Sequence, residues 1–251
     1  MNYYTYTGNK MYVAHFSGAT KEIFPTTIDK VKDITFNMPE DLSIITAITD
    51  NVKSDSPIIY QLNKNKTSYI NMADRTEWSD LKKLEYIIQG LQDASTEYCL
   101  IVDGLDVVIT GDMDEALGIF KNMDYDVLFN ASMYNTPKED IEDIGDREQY
   151  GKFRYFNDGC CIGKTTSLLK IYHDAYQYYK SGEFDSDTAQ YYLRKSFEDN
   201  KNIMFIDYEC RIFQCISKGL YLNTADGKVK DIPKGMMAKI RKTLNGQKEV
   251  E

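Results

Sequence analysis

The sequence predicts a single α/β domain of the Rossmann-like type, in which helices flank a central, mostly parallel sheet. The first observation is length, because 251 residues suit one large domain with a continuous core. The second is an alternation along the chain between short β-rich apolar runs and segments with an apolar period of 3.6 residues. The third is that acidic residues follow apolar runs directly, as they do where strands end at a ligand site.

The elements of the first half follow this alternation. The run 42–49 is a buried strand that ends in a loop, and 67–72 is a second, short strand. From Ser79, a predicted N-cap, apolar residues recur at helical spacing as far as Leu91. Residues 99–102 return to strand, and the order strand, helix, strand is that of a parallel sheet.

The second half continues the pattern around one long polar segment. Residues 134–152 are polar and acidic, which predicts a long loop or flap. The remaining predicted elements are helices at 112–123, 167–181 and 188–199, and strands at 126–130, 156–162 and 202–207.

The predicted domain spans residues 42–225, between an N-terminal extension at 1–41 that packs on it and a basic tail at 226–251. Within the tail, Met236–Leu244 is basic and amphipathic, which fits contact with anionic lipid or a polyanionic acceptor, or a solvated terminal helix. The formal net charge of −9 argues against a protein whose whole surface binds nucleic acid.

The sequence predicts a cytoplasmic protein with no stable membrane span. No run approaches the ~18 apolar residues of a transmembrane helix, and the N-terminus lacks a basic-then-apolar signal pattern. The five cysteines are odd in number and form no CxxC pair. That usage fits a reducing compartment better than a secreted disulfide scaffold.

Asp103 and Asp106 are the strongest candidates for a metal site. The strand 99–102 delivers both carboxylates to its carboxyl end, where ligands bind in open α/β sheets. Two carboxylates three residues apart on a turn can face one cation and leave positions for water and phosphate oxygens. Such a cation would offset the charge that develops on a nucleoside diphosphate leaving group. The alternative is one aspartate that caps and one that stabilises the turn.

Four sequence blocks, in order, resemble the glycosyltransferase domain of the collagen lysyl hydroxylases that also glucosylate. They are LIVDGLDVVI at 100–109, FNDGCCIG at 156–163, DSD at 185–187 followed by Tyr191, and IDYECRIFQ at 206–214. The resemblance extends over about residues 42–215, and its last block is the most distinctive. It implies a GT-A fold, a UDP-sugar donor, and a divalent cation, Mn²⁺ or Mg²⁺, at Asp103 and Asp106.

The resemblance also implies donor-binding positions. Thr49, at the end of the first strand, would contact uridine, and Trp78, the only tryptophan, would stack on the base or else pack at a helix start. Lys83 would pair with the diphosphate, unless its neighbour Lys82 takes that role or both are ordinary exposed helix lysines. Asp103 would contribute to donor binding indirectly, through the cation that it holds.

Further positions would lie beside the transferred sugar. Asp158 would accept hydrogen bonds from sugar hydroxyls, and Gly159 would allow close backbone approach. Asp187 is the expected carboxylate near the anomeric carbon or acceptor hydroxyl, and it would act as general base if the reaction inverts. Asp185 would orient its neighbour, and Asp207 either reaches the site or caps the end of its strand.

The sequence departs from the family pattern at the third metal ligand. The family supplies a histidine late in the chain, whereas the histidines here are His15 and His173, and neither matches that position. The expectation is that water or the diphosphate completes the coordination. Leu105 also replaces an aromatic that the family places between its two metal carboxylates.

Three functions remain open at this point. The first is a glycosyltransferase that moves a hexose from a UDP-sugar to a hydroxyl acceptor; a protein side chain, a glycan or a hydroxylated base in phage DNA are the acceptors considered. The second is a non-catalytic nucleotide-sugar-binding protein of the same fold. The third is a nucleotidyltransferase, against which the lack of a glycine-rich phosphate loop after the first strand counts.

Overall fold

The structure is a computed structural model that describes residues 2–18, 20, 25–73, 78–135, 151–233 and 235. Most of the predicted flap and all of the predicted amphipathic segment of the tail lie outside these residues. The strands are β1 (Val13–His15), β2 (Leu42–Ala47), β3 (Tyr69–Asn71), β4 (Tyr98–Asp103), β5 (Val107–Ile109), β6 (Val127–Ser132), β7 (Tyr155–Lys164), β8 (Met204–Ile206), β9 (Phe213–Cys215), β10 (Leu220–Asn223) and β11 (Lys228–Asp231). The helices are α1 (Pro25–Val31), α2 (Pro57–Lys64), α3 (Asp80–Asp93), α4 (Met113–Lys121), α5 (Thr165–Ser181) and α6 (Ala189–Asn200), with a 3₁₀ helix at Asp50–Asp55.

The central sheet has six strands in the order β3-β2-β4-β7-β6-β8. The pairs β2 with β3, β2 with β4 and β6 with β8 are parallel, whereas β7 is antiparallel to both β4 and β6. Five of the six strands therefore point the same way, and the predicted mostly parallel sheet is confirmed.

Helices cover both faces of this sheet. Along β4, Cys99 and Ile101 belong to one buried cluster, and Leu100 and Val102 belong to the other, because successive side chains of a strand point to opposite faces. The first cluster takes in apolar residues of α3, α5 and α6, and the second takes in those of α2 and α4. Among the described residues, no helix combines the length and apolarity needed to cross a membrane.

The predicted helix from Ser79 is confirmed, together with its cap. The Ser79 hydroxyl accepts a hydrogen bond from the Lys82 amide at 3.1 Å, which satisfies one of the free N–H groups of the first helical turn. The helix α2 and the β10–β11 hairpin were not predicted, although Ser56 and Pro57 carry the N-cap and first-turn signals of α2.

The N-terminal segment pairs with strands from the rest of the domain. Strand β1 is the centre of a second sheet of order β5-β1-β9, antiparallel to β5 and parallel to β9. Its end is fixed by two backbone hydrogen bonds, from the Phe16 amide to the Asp106 carbonyl at 2.7 Å and from the Ile216 amide to the His15 carbonyl at 2.8 Å. The division at residue 41 stays a prediction, but residues 13–16 lie against the predicted metal-binding turn.

Candidate functional site

A cavity of about 430 Å³ opens at the carboxyl ends of β2 and β4. Its volume falls within the usual range for small-molecule sites. Six of the predicted site residues line it together with seven others; the lining residues are Ala47, Ile48, Thr49, Asn51, Val52, Trp78, Asp80, Lys83, Asp103, Gly104, Leu105, Asp106 and Asp158. The acids at the end of strand β4 and just after it therefore lie in a cleft at the carboxyl edge of the sheet, as expected.

Among the described residues, His15, Asp103 and Asp106 form a group that could hold a metal ion, and the two aspartates of this group line the cavity. One ligand atom of each lies within 4.8 Å of the other two. His15 Nε2 is 3.6 Å from Asp106 Oδ1 and 3.9 Å from Asp103 Oδ2. One imidazole nitrogen and two carboxylate oxygens at such distances can share a divalent ion and leave further positions open. The donor set thus fits the cation that the sequence implies.

Lys83 lies between two carboxylates of the cavity. Its Nζ is 2.7 Å from Asp103 Oδ1 and 2.9 Å from Asp158 Oδ2, and its side chain is 7% exposed. Lys83 begins the second turn of α3, and Asp80, in the first turn of the same helix, also lines the cavity. In the structure its charge is directed at these two acids, whereas the sequence assigned it to a diphosphate.

The cavity contains more acid than its cations neutralise. The pKa of Asp103 is raised to about 6, first by desolvation and then by the charges of Asp106 and Asp158, against the opposing effect of Lys83. Desolvation and the Asp158 charge likewise raise the pKa of Asp80. Burial alone would lower the pKa of Lys83, but Asp103, Asp158 and Asp80 hold it well above its ordinary value. A site with this imbalance favours one more positive charge.

His15 faces the same acids from β1. Burial would lower its pKa, but the nearby Asp106 raises it well above its ordinary value, with a further contribution from Cys215. Only 4% of His15 is exposed. The imidazole is therefore a buried group oriented towards Asp103 and Asp106.

The two residues predicted to contact the uridine, Thr49 and Trp78, both line the cavity. Trp78 is 46% exposed and stacks on Tyr86 with ring centroids 6.4 Å apart, which leaves one face of the indole open to a ligand. Thr49 is buried, and its hydroxyl donates to Asn51 Oδ1 at 2.6 Å. Its free hydroxyl lone pairs can still accept a hydrogen bond.

Gly159 lies against the His15 ring. A Cβ built on Gly159 would fall 2.2 Å from His15 Cε1, and its three nearest atoms all belong to that ring. The missing side chain thus makes room for the imidazole. Gly104, on the metal-binding turn, is similarly constrained, because a Cβ there would lie 2.8 Å from Ile48 Cβ.

Asp185 and Asp187 are less closely associated with the cavity. Both are exposed, and neither is among its lining residues in the described part of the chain. Asp187 is close enough to Asp80 to raise the pKa of that carboxyl, so it lies near the rim formed by the start of α3. Their catalytic assignment stays a prediction.

Asp207 has a structural role. Its carboxylate accepts hydrogen bonds from the backbone amides of Arg211, Ile212 and Phe213 at 2.7 to 2.9 Å, and it is 2% exposed. It caps the loop that leads into β9, the neighbour of β1. The predicted alternative of a strand-end cap is the one the structure shows.

Two lining or facing residues were missed from the sequence. His15 ends the short apolar run of β1, so it has the same strand-end position as Asp103, and that was the available signal. Asp80 is three residues before Lys83 on α3, which places both on one face of the helix.

The family model of the PLOD glycosyltransferase (GT) domain matches residues 78–244, more than half of the chain. The match includes Asp103, Asp106 and Asp158 but not His15. A search of curated proteins gave no match. A solved structure of 4-diphosphocytidyl-2C-methyl-D-erythritol synthase from Anaerococcus prevotii is 16% identical, with 89% of this chain and 88% of that chain covered. Its TM-score of 0.32 is too low to support any inference.

Proposed function

The chain belongs to the family of PLOD GT domains, and from that premise we propose that it transfers a hexose from a UDP-sugar to a hydroxyl acceptor with the help of a divalent cation. The resemblance seen in its four sequence blocks is confirmed. The observation that carries the proposal is that Asp103 and Asp106 meet the buried His15 at a cleft that Lys83 and Asp158 also line.

His15, Asp103 and Asp106 are the proposed ligands of Mn²⁺ or Mg²⁺. When bound, the ion would supply Lewis-acid stabilisation of the charge that builds on the diphosphate. Asp103 also accepts from Lys83, which fixes the orientation of its carboxylate. The Ser56 hydroxyl donates to the Gly104 carbonyl, so the backbone between the two aspartates is held as well.

The donor would lie along the cavity from Trp78 to Asp158. The open face of Trp78 suits stacking on uracil, and Thr49 is a second lining residue that offers a hydrogen-bonding group. Asp158 is held by Lys83 at the inner end, where its carboxylate can accept hydrogen bonds from sugar hydroxyls.

Asp187 is the proposed group that handles the acceptor hydroxyl, with Asp185 as its neighbour. It is exposed and near Asp80 at the rim, so an acceptor that approaches from solvent would meet it first. For a reaction that inverts, Asp187 would take the hydroxyl proton as general base. The proposed compartment is the cytoplasm, which the five free, buried cysteines support.

The test is release of nucleoside diphosphate from a panel of UDP-, GDP- and TDP-sugars with Mn²⁺, Mg²⁺ or a chelator. We expect turnover of a UDP-hexose that requires the cation. Asp103→Asn and Asp106→Asn keep the side-chain shape but remove the charge, and each should lower the rate about 100-fold or more. Asp114→Asn, an exposed acid in the first turn of α4, is the matched control and should keep full activity.

The outcomes separate the competing functions. Metal-dependent binding of UDP-sugars without release, in the presence of candidate acceptors, would indicate a binding protein. Undiminished turnover in Asp106→Asn would overturn the site assignment.

A further inference from the structure

We propose that His15 replaces the family's late histidine as third metal ligand, and that Asn157 is the positioning residue that presents its Nε2 to the cation. The inference rests on the proposed function, because it presupposes a cation at Asp103 and Asp106. It assigns roles to two residues in segments of the chain that lie more than a hundred residues apart.

The first step is the placement of His15 by the sheet. In β1, His15 pairs with Val107 of β5 on one side and with Cys215 of β9 on the other. Strand β5, which follows the metal-binding turn directly, and strand β9 are thereby joined through the His15 backbone. The side chain is buried, and its Nε2 points to Asp103 and Asp106.

The second step is the protonation of the other ring nitrogen. Asn157 Oδ1 is 3.0 Å from His15 Nδ1 and 3.2 Å from the Gly159 amide nitrogen. A backbone N–H can only donate, so the Asn157 atom that it meets is the oxygen. That oxygen can only accept, so at 3.0 Å His15 Nδ1 donates its proton to it; the Asn130 amide nitrogen, which can only donate, makes the longer contact with Nδ1, at 3.4 Å. With Nδ1 holding its proton, Nε2 is the nitrogen that would ligate: a cation between the two carboxylates would take the place of the Nε2 proton and meet the Nε2 lone pair.

The third step is the space for the ring. The ladder between β6 and β7 shifts register at Phe129 and Asn130, opposite the segment from Asn157 to Cys161. Such an irregularity re-aims side chains beside functional sites. Asn130 donates to the same Asn157 oxygen at 3.1 Å, and the absence of a side chain at Gly159 admits the imidazole. Asn157 thus orients the His15 ring, and Gly159 leaves the space that the ring occupies.

The experiment measures Mn²⁺ binding without donor, by titration calorimetry, so that it does not depend on turnover. We expect His15→Ala and Asn157→Ala to weaken binding about 10- to 100-fold, the usual effect of a lost ligand or ligand-orienting partner. Asn157→Asp still accepts from Nδ1–H and should bind within a few-fold of the native protein. His173→Ala, at the chain's other histidine, is the control and should leave the affinity unchanged.

A second measurement uses the native chain, so it does not depend on a variant that folds. With only two histidines, each imidazole gives its own signals in a long-range ¹H–¹⁵N spectrum. Substoichiometric Mn²⁺ should broaden the His15 signals before those of His173, and a diamagnetic ion, Mg²⁺, should leave the Nδ1–H signal in place while it shifts the Nε2 signal; equal broadening of both histidines would contradict the assignment.

These results are separable from the fate of the proposed function. Native-like affinity in His15→Ala, or in Asn157→Ala, would overturn the inference even if UDP-sugar turnover is observed. His15-dependent Mn²⁺ binding in a protein that transfers no sugar would uphold it while the proposed function fails.

Discussion

Lys83 shows how one residue can serve the fold and the site together. It is buried against Asp103 and Asp158, and Asp80 adds a third acid at longer range. Removing one partner from a buried, hydrogen-bonded ion pair leaves the other charges uncompensated. Lys83 is therefore a fixed positive charge that reduces the repulsion among the acids of the cleft before a metal ion or donor binds.

Lys83→Met should lower the free energy of unfolding by about 3–5 kcal/mol in the presence of a chelator. Saturating Mn²⁺ should recover part of that loss, because the ion supplies positive charge to Asp103. Chemical denaturation with EDTA and with Mn²⁺ gives both values. Lys82→Met, at a half-buried neighbour on the same helix, is the control. An equal loss of unfolding free energy in Lys82→Met would contradict this account. So would a recovery by Mn²⁺ that is no larger in Lys83→Met than in Lys82→Met.

At the residue scale, the sequence predicts the acids better than their partners. Asp103 and Asp106 could be found because each follows an apolar strand locally. His15 could not be paired with them, because its approach depends on which strands flank β1, and no local pattern fixes that choice. Likewise, Asn157 orients the imidazole only through a register shift opposite Asn130.

At the element scale, α2 acts as a clamp on the turn between the two metal aspartates. Its N-cap, Ser56, accepts from the Ile59 amide at 3.1 Å and donates to the Gly104 carbonyl. One turn later, Gln61 donates to the Ile109 carbonyl at 2.7 Å and accepts from the Ile109 amide at 2.8 Å. Both ends of the segment from Gly104 to Ile109 are thus fixed by one short helix.

Ser56→Ala should therefore affect both stability and the metal site. Loss of the cap costs about 1–2 kcal/mol, and the freed Gly104 carbonyl lets the turn relax, which should weaken Mn²⁺ binding several-fold. Denaturant titration and calorimetry measure the two effects. Thr188→Ala removes a comparable cap, on α6, and should lower stability without changing Mn²⁺ affinity. Equal Mn²⁺ affinities in the two variants would argue against the clamp.

The element boundaries were predictable where local signals agreed. Helix α3 has both a serine cap and a strong apolar period, and it begins and ends within two residues of the prediction. Helix α2 has eight residues and a short apolar face, so its cap and proline were the only clear signals. The hairpin of β10 and β11 lies in a segment of mixed polarity, where no period of two stands out.

At the scale of the whole molecule, strand pairing between distant parts of the chain accounts for the features of the fold that the sequence did not predict. The mostly parallel sheet follows from alternating strands and helices, but the insertion of antiparallel β7 between β4 and β6 does not. The pairing of β1 with β9 joins residues 13–15 to residues 213–215, nearly the length of the chain apart. Such contacts are set by the packing of all elements together, and they complete the site.

Because His15 belongs to β1 and Asp106 to the turn after β4, a bound cation should bind the N-terminal strand more tightly to the domain. At about 100 times its Kd, a ligand stabilises the bound form by about 2.7 kcal/mol, which is roughly 100-fold in an opening equilibrium. Mn²⁺ should therefore slow hydrogen exchange at the Phe16 and Ile216 amides, which bond to Asp106 and His15, by up to that factor. Amides of the β10–β11 hairpin that exchange by local opening serve as the internal control. In His15→Ala the ion can still contact the turn but no longer holds β1, so the Phe16 and Ile216 effects should disappear; their persistence would show that the cation does not link the two segments.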